Sequence, residues 1–228
     1  VYFFVSLGSN IKPEHHIAEA LETLADRFSP LISFPVVHTP PCDIESENEF
    51  LNGLVLFYSD LTEEQIKEQF NALEERSGRD RSDPARSEKD RTLDLDILAV
   101  QDTLDLSVCN TFDEPYTQQC VRAAELLEGK APPCARVSRN AVHCLQVDSS
   151  LEDEGEDDKG EGHALRKASP CGATPSGDLP CATISIAGNL LGHRPAAIYR
   201  DHTRGDILVV EDTVDSLLQR FKTTFHSK

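Results

Sequence analysis

The chain opens on VYFFVSL, apolar at every position but Ser6, and the run stops at Gly8-Ser9-Asn10, a turn signal. This pattern predicts a buried strand and then a tight loop. From Pro13, which suits a first helical turn, Ile17, Leu21, Leu24 and Phe28 recur at spacings of three and four, the stripe of an amphipathic helix ending near Ser29-Pro30. A second strand is expected over Leu31 to His38, closed by Thr39-Pro40-Pro41, and a third over Phe50 to Tyr58. Asp60 or Thr62 can cap the next helix, with Gln65 three after Thr62 as in a capping box, and Ile66, Phe70 and Leu73 give its apolar face. Leu93 to Val100 reads as the next strand. The order strand, helix, strand, strand, helix, strand predicts an α+β fold of the ferredoxin-like split βαβ kind, a mainly antiparallel sheet with its helices on one face.

Further along, the pattern dissolves. Between Val147 and Ala182 the composition turns to Asp, Glu, Gly, Ser and Pro, which predicts a disordered linker between a main domain, 1–146, and a small extension, 183–228. In the extension, ATISIAG, AAIY and DILVVED read as short strands, and Val214, Leu217, Leu218 and Phe221 as a last helical stripe. So short a segment does not bury a core of its own; it packs on the main domain or forms a dimer contact, and the choice between monomer and homodimer stays open.

Charge narrows the partners. Forty acidic against 22 basic side chains give a net charge of -18, which argues against nucleic acid and against a membrane surface. An anionic ligand must then be met by a local basic cluster or by a metal. The apolar opening is too short to span a bilayer and has no basic leader, so a cytoplasmic location is expected. The seven cysteines, odd in number and without metal-site or disulfide spacing, fit reduced thiols.

Against that background the run DRTLDLDIL, 90–98, stands out. In a strand, Asp94 and Asp96 project to one side about 7 Å apart while Leu93, Leu95 and Ile97 face the other way. Two carboxylates so placed repel unless a cation neutralises them, and an oxygen-seeking divalent ion such as Mg²⁺, which commonly comes with phosphates, meets the need. A wet sheet face with both aspartates solvated or paired to arginines is the plainer alternative. Just upstream, 76–91 carry Arg76, Arg79, Arg81, Arg86, Lys89 and Arg91, guanidinium forks suited to a polyphosphate, although interleaved acids could equally pair them internally.

Four segments in this order, SLGSN at 6–10, TPP at 39–41, FLNG at 50–53 and DRTLDLDIL at 90–98, resemble the 6-hydroxymethyl-7,8-dihydropterin pyrophosphokinase family over roughly 1–125. The resemblance implies diphosphate transfer from ATP to the pterin hydroxymethyl group with release of AMP, using two Mg²⁺ ions. It implies that Asp94 and Asp96 bind the metals and that Arg91 contacts phosphates, joined by Arg81 and Arg86 from a loop that closes as a lid. Asn71, Glu74, Ile97 and Tyr116 match positions on the nucleotide side. Thr39, Pro40 and Cys42 would line the pterin pocket, Phe50 stack on the ring and Asn52 bond its polar edge, while Gly8 lets the backbone come close. By pattern alone, ordinary core for Phe50 and a strand-end cap for Asn52 stay open as alternatives.

The chain also departs from the family. Glu88, Lys89 and Asp90 stand where Gly-Pro, often after Trp, is usual, and Pro115 is followed by Tyr116 where the family has His and then Arg-x-Phe. These changes keep a second reading open: a nucleotide- or pterin-binding module on the same fold, without catalysis or with another acceptor.

Overall fold

The apolar opening forms strand β1 (Tyr2–Ser9) in a computed structural model that describes residues 1–41, 44, 46–80, 89–128 and 181–225. Helix α1 (Pro13–Phe28) follows with Pro13 in its first turn and buries Ile17, Leu21, Leu24 and Phe28, as the spacing predicts. The next strand divides into β2 (Leu31–Ser33) and β3 (Val37–Thr39). After β4 (Phe50–Tyr58) comes α2 (Glu63–Arg76), whose capping box forms: Gln65 N donates to Thr62 Oγ1 and Thr62 N to Gln65 Oε1. Strand β5 (Asp94–Gln101) leads through a 3-10 helix, Leu106–Thr111, to α3 (Pro115–Leu127). The last segment supplies β6 (Ile184–Ile186), β7 (Asn189–Leu191), β8 (Ala196–Asp201), β9 (Asp206–Glu211) and α4 (Val214–Phe225).

The main sheet runs β5-β1-β4-β2-β8-β9, with β3 also on β4, and every pair in it is antiparallel. The α+β antiparallel expectation therefore holds. Helices α1 and α2 share one face, where they cover Phe3, Val5 and Leu7. The placement of all helices on one face does not extend to α3 and α4, which cover the opposite face over Tyr2 and Phe4. Pattern reading had no account of α3, because its buried residues, Thr117, Cys120, Ala123 and Ala124, are small and weakly apolar. No helix among the described residues is long and apolar enough to cross a membrane.

Strand Leu31 to His38 breaks at Pro35, which has no N–H for a ladder. Val36 there turns to the far end of the chain: its N–H donates to Gly192 O at 2.8 Å and its carbonyl accepts from Ala182 N at 2.8 Å. The approach at Gly192 tolerates no side chain, since a Cβ would lie 2.2 Å from Ala182 O and φ is +116°. Of the two arrangements open for the extension, the chain adopts packing on the main body: β8 pairs with β2, Leu31 opposite Ile198. The predicted linker lies outside the described residues except for Cys181 and Ala182.

Candidate functional site

Side-chain size along β1 sets the site. Tyr2, Phe4, Ser6 and Gly8 point to one face. The first two are buried against α3 and α4, whereas the last two leave space, and there the face opens into a cleft. Cross-strand partners in an antiparallel pair share a face. The register sets Asp96 opposite Ser6, and both Asp94 and Asn52 opposite Gly8. Thr39 pairs with Phe50 across β3 and β4.

Of the residues expected at a site, Gly8, Thr39, Pro40, Phe50, Asn52, Arg91, Asp94, Asp96 and Tyr116 line this cleft, with Ser6 and Ile44 besides. Phe50 is half-buried there and belongs to neither apolar core, so the alternative of ordinary core packing does not apply. Asn52 is buried rather than capping a strand end; its Nδ2 donates to Thr39 Oγ1 at 2.7 Å. The alternation expected on β5 holds, with Leu93 and Leu95 in the core under α1 and α2. Ile97 packs partly against that same core, and Asn71 does not line the cleft. Cys42, Arg81 and Arg86 lie outside the described residues.

Glu74 is 1% exposed and sits beneath β5 instead of in the cleft. Its Oε1 accepts from Leu95 N at 2.8 Å and its Oε2 pairs with Arg79 Nη1 at 2.9 Å. Arg79 in turn donates to Asp94 Oδ1, while Arg91 donates to Asp94 Oδ2. Arg79 was visible in the basic run, but nothing in the sequence set it apart from its neighbours. Its backbone N–H donates to Glu74 O at 3.0 Å, which folds the end of α2 back over the strand.

The two aspartates are in different states. Asp94 has a guanidinium on each oxygen. Asp96 is held above the ordinary carboxylate pKa, first by desolvation, then by the charge of Asp94; Arg79 and Arg91 pull the other way without offsetting this. Its surface is exposed, yet protein atoms crowd round it on the cleft floor. Asp94 paired to two arginines and Asp96 open to the cleft match the plainer alternative as they stand; an all-oxygen pair of carboxylates would suit a hard divalent cation of the Mg²⁺ type rather than a soft one, with Asp94 sharing its oxygens between the ion and the two guanidinium groups. Tyr116, at the start of α3, shares a hydrogen bond with Ser6; burial first, and then Glu114 and Asp96, push its phenol up to about 12, so it carries its proton at neutral pH.

A second cluster fixes the approach to β5. Asn10 Nδ2 donates to Asp90 Oδ1 and Arg91 N donates to Asn10 Oδ1, both at 2.7 Å, while Asn48 Nδ2 donates to Asp90 Oδ2 at 2.6 Å. Hydrogen bonds from Ser46, Asn48 and Asn10, that from Ser46 foremost, keep the Asp90 carboxyl below its ordinary pKa. Asp90, one of the departures noted above, thus ties together three segments. Asn10 escaped sequence reasoning because its partner lies 80 positions away.

Gly8 is the narrowest point: a Cβ there would stand 3.1 Å from Asn52 Oδ1 and 4.0 Å from Asp94 Cβ. Gly8→Val is expected to leave the fold in place and to weaken binding of a flat ligand about tenfold to a hundredfold, the effect of an overpacking cost of about 1–3 kcal/mol falling on the ligand. Calorimetric titration with 6-hydroxymethyl-7,8-dihydropterin, the ligand that the sequence resemblance implies, beside circular dichroism of the variant, checks it; unchanged affinity would place the ligand elsewhere.

The model of the 7,8-dihydro-6-hydroxymethylpterin-pyrophosphokinase family matches residues 4–126, from β1 to the end of α3. The chain is also 34% identical over 97 residues to the 2-amino-4-hydroxy-6-hydroxymethyldihydropteridine pyrophosphokinase of Porphyromonas gingivalis, in strains ATCC 33277 and W83 alike. That alignment takes in 42% of this chain and 66% of each relative, just under two thirds of their length.

Proposed function

The chain belongs to the 7,8-dihydro-6-hydroxymethylpterin-pyrophosphokinase family, and on that premise we propose that it transfers diphosphate from ATP to the hydroxymethyl group of 6-hydroxymethyl-7,8-dihydropterin, releasing AMP, in folate biosynthesis. One observation carries the reading. A pair of carboxylates on β5, an arginine just ahead of that strand, and an aromatic face and a buried amide on β4 meet in a single cleft.

In this reading Phe50 stacks on the pterin ring, and Asn52, oriented by Thr39, bonds its polar edge beside Pro40 and Cys42. Gly8 gives the ring its room. Arg91 takes the phosphates, with Arg81 and Arg86 as further contacts. Tyr116 donates a hydrogen bond on the nucleotide side, where Asn71 and Ile97 also belong, while Glu74 acts from below by holding Leu95 and Arg79. Asp94 and Asp96 would hold Mg²⁺, two ions, which when bound supply charge neutralisation and alignment of the triphosphate. The pterin hydroxyl oxygen bonds to the β-phosphorus, the bond from that phosphorus to the oxygen of the α-phosphate breaks, and AMP leaves with the electron pair. The hydroxyl proton passes to solvent. Catalysis of this kind consists of positioning and charge stabilisation, so no strong protein base is required. Free thiols at Cys109, Cys120 and Cys181 fit a cytoplasmic setting.

The test is AMP formation from ATP and Mg²⁺ with and without the pterin. Pterin-dependent AMP is the expected result. No AMP, with ATP binding still detectable by calorimetry, would favour a binding module or a different acceptor, the reading that Tyr116 in place of the family's histidine keeps in view.

A further inference from the structure

We propose that the first two turns of α1 carry a second, separate metal site, formed by His15, His16 and Glu19 and selective for a borderline transition-metal ion of the Zn²⁺, Ni²⁺ or Co²⁺ class. Each of the three offers one ligand atom, and these atoms all lie within 4.8 Å of one another. At 3.6 residues per turn the three positions fall within an arc of about 100°. A ligand set of two imidazoles and a carboxylate suits this class of ion and discriminates against Mg²⁺ and Ca²⁺, which take oxygen shells.

Four further observations point the same way. The His15 and Glu19 side chains are 68% and 55% exposed, and His15 Nε2 stands only 3.8 Å from Glu19 Oε2, so an ion can enter from solvent and complete its shell with water. The rings of His15 and His16 lie 5.0 Å apart. His16 Nδ1 is shielded from solvent and has no hydrogen-bond partner among the described residues. A ring nitrogen that has lost its water without replacement is costly, and coordination is one way to satisfy it. The net charge of -18 raises the local concentration of any cation.

The site is independent of the cleft: none of its three residues lines that space. It stands close to it along the chain, however. α1 starts three residues after Asn10, whose N–H donates to Arg91 O at 3.0 Å.

The experiment is isothermal titration of the full chain, freed of metal by chelation, with Co²⁺ in excess Mg²⁺, the Mg²⁺ filling the cleft carboxylates. One Co²⁺ per chain is expected, with the weak visible bands of nitrogen and oxygen ligation and without the intense near-ultraviolet bands of thiolate ligation. His15→Gln/His16→Gln is expected to weaken binding more than about a hundredfold, beyond what loss of supporting contacts alone does. Glu19→Gln, a milder change on an exposed face, is expected to weaken it about tenfold, and Asp94→Asn to leave it unchanged. Affinity that survives both helix variants, that falls with Asp94→Asn, or that vanishes on thiol alkylation overturns the proposal. Since the readout is binding, its failure would say nothing against the pyrophosphokinase reading, nor would absence of AMP count against the helix site.

Discussion

Asp96→Asn is expected to lower pterin-dependent AMP formation by about a thousandfold or more while the protein stays folded. The substitution keeps size and shape and removes only the charge. A bound divalent ion contributes several kcal/mol of charge stabilisation to phosphoryl transfer, and at about 1.4 kcal/mol per factor of ten that is the rate at stake. The fold should be spared for a separate reason. Asp96 is exposed on the cleft floor, and its carboxylate is opposed by desolvation and by Asp94, so its neutralisation relieves a cost. Asp94→Asn differs, because Asp94 is the shared acceptor of Arg79 and Arg91 and its loss leaves two guanidinium groups less well paired. Steady-state AMP release together with thermal unfolding separates the two effects. An Asp96→Asn enzyme within tenfold of the parent would remove this carboxylate from the mechanism.

The second large effect is on stability. Glu74→Ala strips a buried carboxylate from two partners at once, the Leu95 N–H and the Arg79 guanidinium, in a place where Arg79 is only 15% exposed. Breaking a buried pair by removing one member costs about 3–5 kcal/mol. For a chain of this size that corresponds to a fall in Tm of about 10 °C. Asp94 remains as a partner for Arg79, which sets the expectation at the lower end. Glu74→Gln keeps an acceptor for Leu95 and loses only the charge, so its loss should be intermediate. Denaturant unfolding of both variants is the check; a change under about 1 kcal/mol for Glu74→Ala would mean that the pair and the strand contact are replaced by water at no cost.

Much of this architecture is legible in the sequence, and the parts that are not have a common cause. β1, α1, β4, α2 and β5 follow from period and capping alone, and so does the outward aim of Asp94 and Asp96, because alternation along a strand is a local property. Phe50 and Asn52 share a face for the same reason, though only the fold shows that this face is a cleft and not core. What sequence reasoning misses is non-local. The break between β2 and β3 is marked by Pro35, but the groups that Val36 offers are taken by Gly192 and Ala182, about 150 positions on. Arg79 and Asn10 gain their places from Asp94 and Asp90, and no window of neighbouring residues contains both ends of such a contact. The small-residue face of α3 gives too little contrast to read.

The pairing of β8 with β2 has a consequence for the order of events when the chain is made. Synthesis delivers β1 through α3 first, and with them every cleft residue from Ser6 to Tyr116. At that stage β2 has β4 on one side and nothing on the other, because its second neighbour begins at Ala196. An open strand edge invites pairing with a neighbouring chain, and the interval during which it stays open is set by the time a ribosome needs to reach β8. The half of the protein that carries the cleft is thus born before the strand that guards its flank.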